Sequence, residues 1–341
     1  MPTSYRDLPA LPDFAQFNNL RPELANGRLH LHDLTETRFA RAVAPVFVGT
    51  DELLVPDRGH RCHVAEHWLA CFALPAEWKP RALVSQGVRQ SLQCLFAYWA
   101  SQGTRLLLPA DVYPVYLEMA RAAGCMFATY RTWPQASFEG LDQADVVLAA
   151  SPMKPRGDEL RAEEKELLRA WLKADTRRRL VVDAVYTFDT RISPSIRVLM
   201  NTNQVLVLHS LSKGWAEPLA AGVTLVPAQD VEVLTPLFRA LAVNPDKLAM
   251  AHALLEQDRM GPELLRRHLA QLQAKLATTL AGCMLPNSIP GRAVNPGQYL
   301  FVLPLDWRSL LQSHHVLALP LSVFGEASPG LSVVSSLPAV A

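Results

Sequence analysis

The stretch VLVLHSLSKGWAEPLAAGVTL, residues 205–225, decides how the rest of the chain is read. It opens on an apolar, branched run of the kind that forms a strand buried on both faces. The run ends in Ser210, Ser212 and Lys213. A lysine set directly against a buried strand is costly unless it is paired or used in chemistry. Lys213 is therefore the first residue to which a chemical role is assigned.

Working outward, RLLLP (105–109), DVVLAA (145–150), RLVVDA (179–184) and QVLVLHS (204–210) share that buried-strand character. Between them, DELRAEEKELLRAWLKA (158–174) places Leu160, Leu167, Leu168, Trp171 and Leu172 on one helical stripe. Such alternation predicts an α/β domain, a mostly parallel sheet sandwiched by helices. Ligands of such sheets bind at the carboxyl ends of the strands. Those ends carry Ser151 to Gly157, Asp183 with Tyr186, and Ser210 with Lys213. Further on, PELLRRHLAQLQAKLATTLAG (262–282) reads as an amphipathic helix closed by Gly282. Fresh strand signals follow in NPGQYLFVLPL and HVLALPLSVFG. The expected division is a large domain over 51–250 and a smaller α+β lobe built from 1–50 and 251–341.

Composition narrows the task. With 33 Lys+Arg against 32 Asp+Glu, the 341-residue chain has a formal charge of +1, too little to hold a polyanion. A small-molecule ligand is expected, with neither nucleic acid nor membrane as partner. No apolar run reaches the ~18 residues of a membrane span, and MPTSYRDLPALPDFAQFNNL lacks the pattern of a signal peptide. Cys62, Cys71, Cys94, Cys125 and Cys283 are scattered and odd in number, which fits reduced thiols and a cytoplasmic protein.

The strand ends, taken together, suit one chemistry. Lys213 offers an amine for a Schiff base, and Asp183 a carboxylate to keep a ring nitrogen protonated. Tyr186 is placed to reach a ring hydroxyl, and Ser210 an anionic group. In VSQGVRQSLQCLF (84–96), a strand, a glycine turn and a helix start leave the amides near Gly87, Val88 and Arg89 open to a phosphate. Tyr113, in DVYPVY (111–116), offers a ring for stacking.

The order glycine turn, Tyr-Pro, Pro-x-Gly, Asp-x-x-Tyr and Ser-x-Ser-Lys resembles that of the fold type I pyridoxal-phosphate enzymes, and most closely the class I/II aminotransferase family. The resemblance extends from about residue 50 to SVFG near the C-terminus. It implies a homodimer of the fold type I architecture with pyridoxal 5'-phosphate as cofactor. It also implies an aminotransferase-like reaction on a small amine or amino acid through an internal aldimine on Lys213. By the same resemblance Asp183 partners the pyridine nitrogen and Tyr186 the ring oxygen. Ser210 and Ser212, with the amides of residues 87–89, form the phosphate cup. The same scaffold also supports lyase, decarboxylase or cyclase chemistry, and a cofactor-binding protein without turnover is a third reading.

Several positions depart from the family pattern. KPRG, Lys154 to Gly157, stands where the family has Asn-Pro-x-Gly, so Lys154 either brings a positive charge beside the ring or swings into solvent. Ala220 and Ala221 replace a phosphate-binding arginine, with Arg89 as the expected substitute. Val55 stands for a tyrosine, and Ser332 for the arginine that grips a substrate carboxylate; either Arg21 or Arg38 takes over that grip, or, as the loss favours, the substrate has no free α-carboxylate there. His63 and His67, four apart in HRCHVAEHW, have the spacing of two zinc ligands, but no third ligand is evident and a solvated helix face is favoured. His30/His32 and His314/His315 read as surface features, and no metal is expected.

Overall fold

The apolar runs read from the sequence become the central strands of one sheet. A computed structural model describes residues 8–25, 32–33, 60–112, 114–187, 192–214, 221–257, 300–303, 305–325 and 330–335. In chain order α1 (Phe14–Ala25) and the short β1 (His32–Asp33) precede α2 (His60–Cys71) and β2 (Ala82–Ser85). Then follow α3 (Val88–Ser101), β3 (Arg105–Pro109), α4 (Val115–Ala122), β4 (Met126–Tyr130) and β5 (Val146–Ala150). After α5 (Ala162–Ala174) come β6 (Arg179–Asp183), α6 (Pro194–Met200), β7 (Val205–Ser210), α7 (Leu211–Gly214) and β8 (Gly222–Leu225). The rest comprises α8 (Val231–Ala240), α9 (Pro245–Gln257), β9 (Leu300–Leu303), α10 (Trp307–His314), β10 (Val316–Leu317), β11 (Leu319–Pro320) and β12 (Ser332–Ser335).

Seven strands form the main sheet in the order β2-β8-β7-β6-β5-β3-β4. Neighbours from β7 through β4 are parallel, whereas β8 runs antiparallel to both β7 and β2. Alternate strand residues divide between two cores, as the pleat requires. Leu107, Val147, Val182 and Val207 pack with α2, α5, α6 and α9. Leu106, Leu108, Val181 and Leu208 pack with α3, α4 and α8. This is the mostly parallel sheet covered by helices that the sequence predicts. A third cluster joins Phe17 and Leu24 of α1 to Trp307 and Leu311 of α10 and to Leu321 and Phe324, with Trp133 and Tyr186 packed against it.

Two local expectations change. The helix over 158–174 begins only at Ala162, because Glu164 turns back to accept the Arg161 amide at 2.9 Å, and residues 158–160 belong to the preceding loop. Leu167 does not join the buried stripe; it is 45% exposed, while Leu160, Leu168, Trp171 and Leu172 are buried. The helix expected over 262–282 lies outside the described residues.

His209 of β7 is buried among aromatic rings. Trp68 Nε1–H donates to its Nδ1 at 3.1 Å, so the neutral ring carries its proton on Nε2. Burial holds its pKa down, from 6.5 to about 4, against the opposing effect of a hydrogen bond with the Thr187 backbone. The folded pKa lies below the unfolded one, so the unfolded chain binds the extra proton first. His209 therefore adds stability that is complete above pH 6.5 and is lost as pH falls toward about 4. The 2.5-unit gap corresponds to about 3 kcal/mol. Unfolding free energies across this window should show His209→Gln with a flatter pH dependence than the wild type; parallel curves would remove His209 as the cause.

Candidate active site

One end of the site is built from a close approach of backbones. Gly222 of β8 pairs with Ser210 on one side and Ser85 on the other. A Cβ on Gly222 would lie 2.6 Å from the His209 carbonyl oxygen and 2.8 Å from Gly87 Cα, so only glycine fits. Gly87 turns the chain from β2 into α3 at φ +130°, a region side chains disfavour. The turn is held by Ser85, whose Oγ lies 2.8 Å from Ser91 Oγ and accepts from the Gly87 amide at 3.2 Å. Thr224 continues this buried hydroxyl chain by donating to Ser91 at 2.8 Å.

Ser210 Oγ faces the Gly87 turn and lies 2.8 Å from Ser212 Oγ, while the Ser212 amide donates to Ser210 at 3.2 Å. The first-turn amides of α3, on Val88 and Arg89, have no carbonyl partner within the helix, and the helix dipole makes that end positive. The structure thus brings Gly87, Val88, Ser210 and Ser212 to one edge. Arg89 sits in the same turn with its side chain exposed, and it makes no hydrogen bond or ion pair among the described residues.

The carboxylate end lies one strand away, since β6 is hydrogen-bonded to β7. Asp183 is 4% exposed and ends β6. Its Oδ1 accepts from the Val185 amide at 3.0 Å, and its Oδ2 accepts a short hydrogen bond from the Tyr116 hydroxyl. Burial first, and the Asp183 charge second, push the Tyr116 pKa well above 10, so Tyr116 remains a donor. The Lys154 ammonium stands 3.8 Å from Asp183 Oδ2.

Lys154 does not swing into solvent. The Thr132 hydroxyl binds the Lys154 carbonyl, and Gly157 N–H donates to the Met153 carbonyl at 2.7 Å. Arg156, fully buried, clamps the loop: its Nη atoms reach Glu164 at 2.5 and 3.0 Å, and its Nε reaches Asp158 Oδ1 at 2.7 Å. The Lys154 side chain is turned inward, 9% exposed, with its pKa lowered by burial and raised in opposition by Asp183. Its ammonium lies 4.7 Å from the centre of the Tyr186 ring, and the Lys213 ammonium lies 5.5 Å from the same ring. One tyrosine ring therefore faces both lysines, and one of them, Lys154, pairs with Asp183.

Tyr116 is the residue of this cluster to which sequence reasoning gave no role. Its signal was the second tyrosine of Tyr113-Pro114-Val115-Tyr116, which places it in the first turn of α4. The preceding loop is pinned by Asp111, whose carboxylate accepts from the amides of Thr132 and Trp133, each at 2.7 Å. Tyr113, Val55, Ala220 and Arg38 lie outside the described residues. Ser332 Oγ is spent on the Leu305 carbonyl at 2.6 Å inside the small antiparallel sheet. His63 and His67 face His252 of α9, with ring centres 5.7 and 5.0 Å apart. Among the described residues no cluster of His, Cys, Asp or Glu is arranged to hold a metal, and no helix is long and apolar enough to cross a membrane.

The sequence profile described as aminotransferase class I and II matches residues 60–333. The chain belongs to the class I and II aminotransferases. That family depends on pyridoxal phosphate, and the residues gathered here fit the group: an amine, a buried carboxylate, and a glycine-walled cup of hydroxyls and amides. Solved structures share the fold at low sequence identity. The methionine aminotransferase YbdL of Escherichia coli superimposes with a TM-score of 0.71 at 16% identity, covering 99% of this chain and 95% of that one. Aminotransferase AspB of Helicobacter pylori gives 0.70 at 17%, covering 96% and 94%. Aspartate aminotransferase of Thermotoga maritima gives 0.67 at 17%, covering 94% and 90%. Among curated proteins none matches.

Because Gly222 seals both the sheet and the cup, Gly222→Ala should lower the stability of this aminotransferase by about 2–3 kcal/mol through forced backbone displacement. Chemical denaturation measures this; an unchanged midpoint and slope would show that the β8 backbone yields freely.

Proposed function

We propose that the chain is a pyridoxal-phosphate-dependent aminotransferase acting on a small amine or amino acid, with Lys213 as the covalent anchor and proton-transfer group. The observation that carries this reading is that Lys213 lies over the ring of Tyr186, which also faces the Lys154 ammonium paired with Asp183, at the carboxyl ends of adjacent strands in a chain of this family. Ser210, Ser212 and the amides of Gly87, Val88 and Arg89 would hold the phosphate at the positive end of α3. Tyr186 would serve the ring oxygen, and Asp183 would keep a proton on the ring nitrogen.

When bound, pyridoxal phosphate supplies the electron sink that makes the α-proton of an attached amine acidic. The protein's own residues do the rest. Asp183, buried, would accept from the ring N–H, and Tyr116 and Val185 hold that carboxylate in place. Lys213, whose Nζ lies over the Tyr186 ring, would anchor the group and would hold and move the α-proton as general base.

Borohydride reduction of protein loaded with pyridoxal phosphate, followed by peptide mapping, tests the anchor. The label should fall on Lys213 and vanish in Lys213→Ala. A label on Lys154, or none in the wild type, would overturn the assignment.

A further inference from the structure

The arrangement of charge around Asp183 carries one step more, and it rests on the cofactor reading above. Each oxygen of Asp183 already has a hydrogen-bond donor, Val185 N–H on Oδ1 and the Tyr116 hydroxyl on Oδ2. The carboxylate still has a full charge to neutralise in a buried place. Lys154 is the one cation within ion-pair distance of it among the described residues. At 3.8 Å its ammonium is held by charge and not by a hydrogen bond, and it has no hydrogen-bond acceptor among the described residues. Its other partner is the face of Tyr186, 4.7 Å to the ring centre. A nine-tenths buried ammonium in that position makes a loose pair with Asp183 and keeps a second resting place on an aromatic ring.

We propose that Lys154 is the resident counter-ion of Asp183, and that a ligand with a cationic ring nitrogen binds by displacing it. Lys154 pairs with Asp183 while the site holds no ring, and it retreats onto Tyr186 when the ring nitrogen arrives. Little is lost in the exchange, because no Lys154 hydrogen bond is broken, and the flexible four-carbon stem absorbs the movement. The backbone of Lys154 stays fixed throughout, since Thr132 and the Arg156–Glu164 clamp hold the loop. Lys154 is thus a positioning residue for Asp183 and a competitor of the ligand.

A competitor and a contact residue give opposite signs when removed. Pyridoxamine phosphate has the ring and phosphate but no aldehyde, so it reports non-covalent binding to the full chain. Its dissociation constant, measured calorimetrically for wild type, Lys154→Met and Lys154→Gln, should fall in the variants on the order of tenfold, as expected when a cation near 4 Å no longer competes. Thermal unfolding of each variant checks that it is folded; the Gln variant keeps a polar, similar-sized side chain should the Met variant fail. Wild-type binding with unchanged or weaker affinity in the folded variants overturns the counter-ion role and leaves the cofactor reading standing. Absence of wild-type binding overturns the cofactor reading and this inference with it.

Discussion

A negative charge buried at the carboxyl edge of a sheet is the constraint around which this site is arranged. Asp183 cannot share its charge with water, so the surrounding chain must answer it with donors and a cation. Each answer comes from a different element. Val185 follows β6 itself, Tyr116 reaches across from α4, and Lys154 leans in from the loop after β5. Those partners need supports of their own. Asp111 ties the loop before α4 to the end of β4, and Glu164 clamps Arg156 beside Lys154. Disturbing any of these shifts the environment of one carboxylate.

The second constraint is steric. Ser85, Gly222 and Ser210 lie in register across β2, β8 and β7, and Asp183 pairs with Leu208 one strand further on. Glycine at 222 lets the His209 carbonyl and the Gly87 turn approach within distances no side chain would permit. The Ser210 edge and the Asp183 carboxylate are therefore fixed relative to each other by strand pairing. Lys213 follows directly from β7, in α7.

Much of this was written in local sequence. The runs at 105–109, 145–150, 179–184 and 204–210 are continuous and apolar because their strands are buried on both faces, and the structure places strands there within a residue or so. Strand β4, MFATY, gave no such signal because it is the sheet's edge and half exposed. Asp183, Tyr186, Ser210, Ser212, Lys213 and Gly87 could be picked out because chemistry at strand ends follows a recognisable order. Tyr116 could not, since its partner is 67 residues away and only packing of α4 on the sheet joins them. The direction of Lys154 was equally hidden, for it depends on Arg156 and Glu164 closing the loop, an ion pair eight residues apart that spacing alone does not announce. Leu167 misled for the opposite reason: its helical phase is right for the stripe, but its side chain meets solvent and not a neighbour.

The most direct measurement is the NMR chemical shift of an isotopically labelled ring nitrogen in pyridoxal phosphate bound to the protein. With Asp183 ionised and facing that nitrogen, the shift should be that of a protonated pyridinium near neutral pH, and Asp183→Asn should move it to the unprotonated value. An unprotonated ring nitrogen in the wild type would contradict the role of the Asp183 charge on which the whole site has been built.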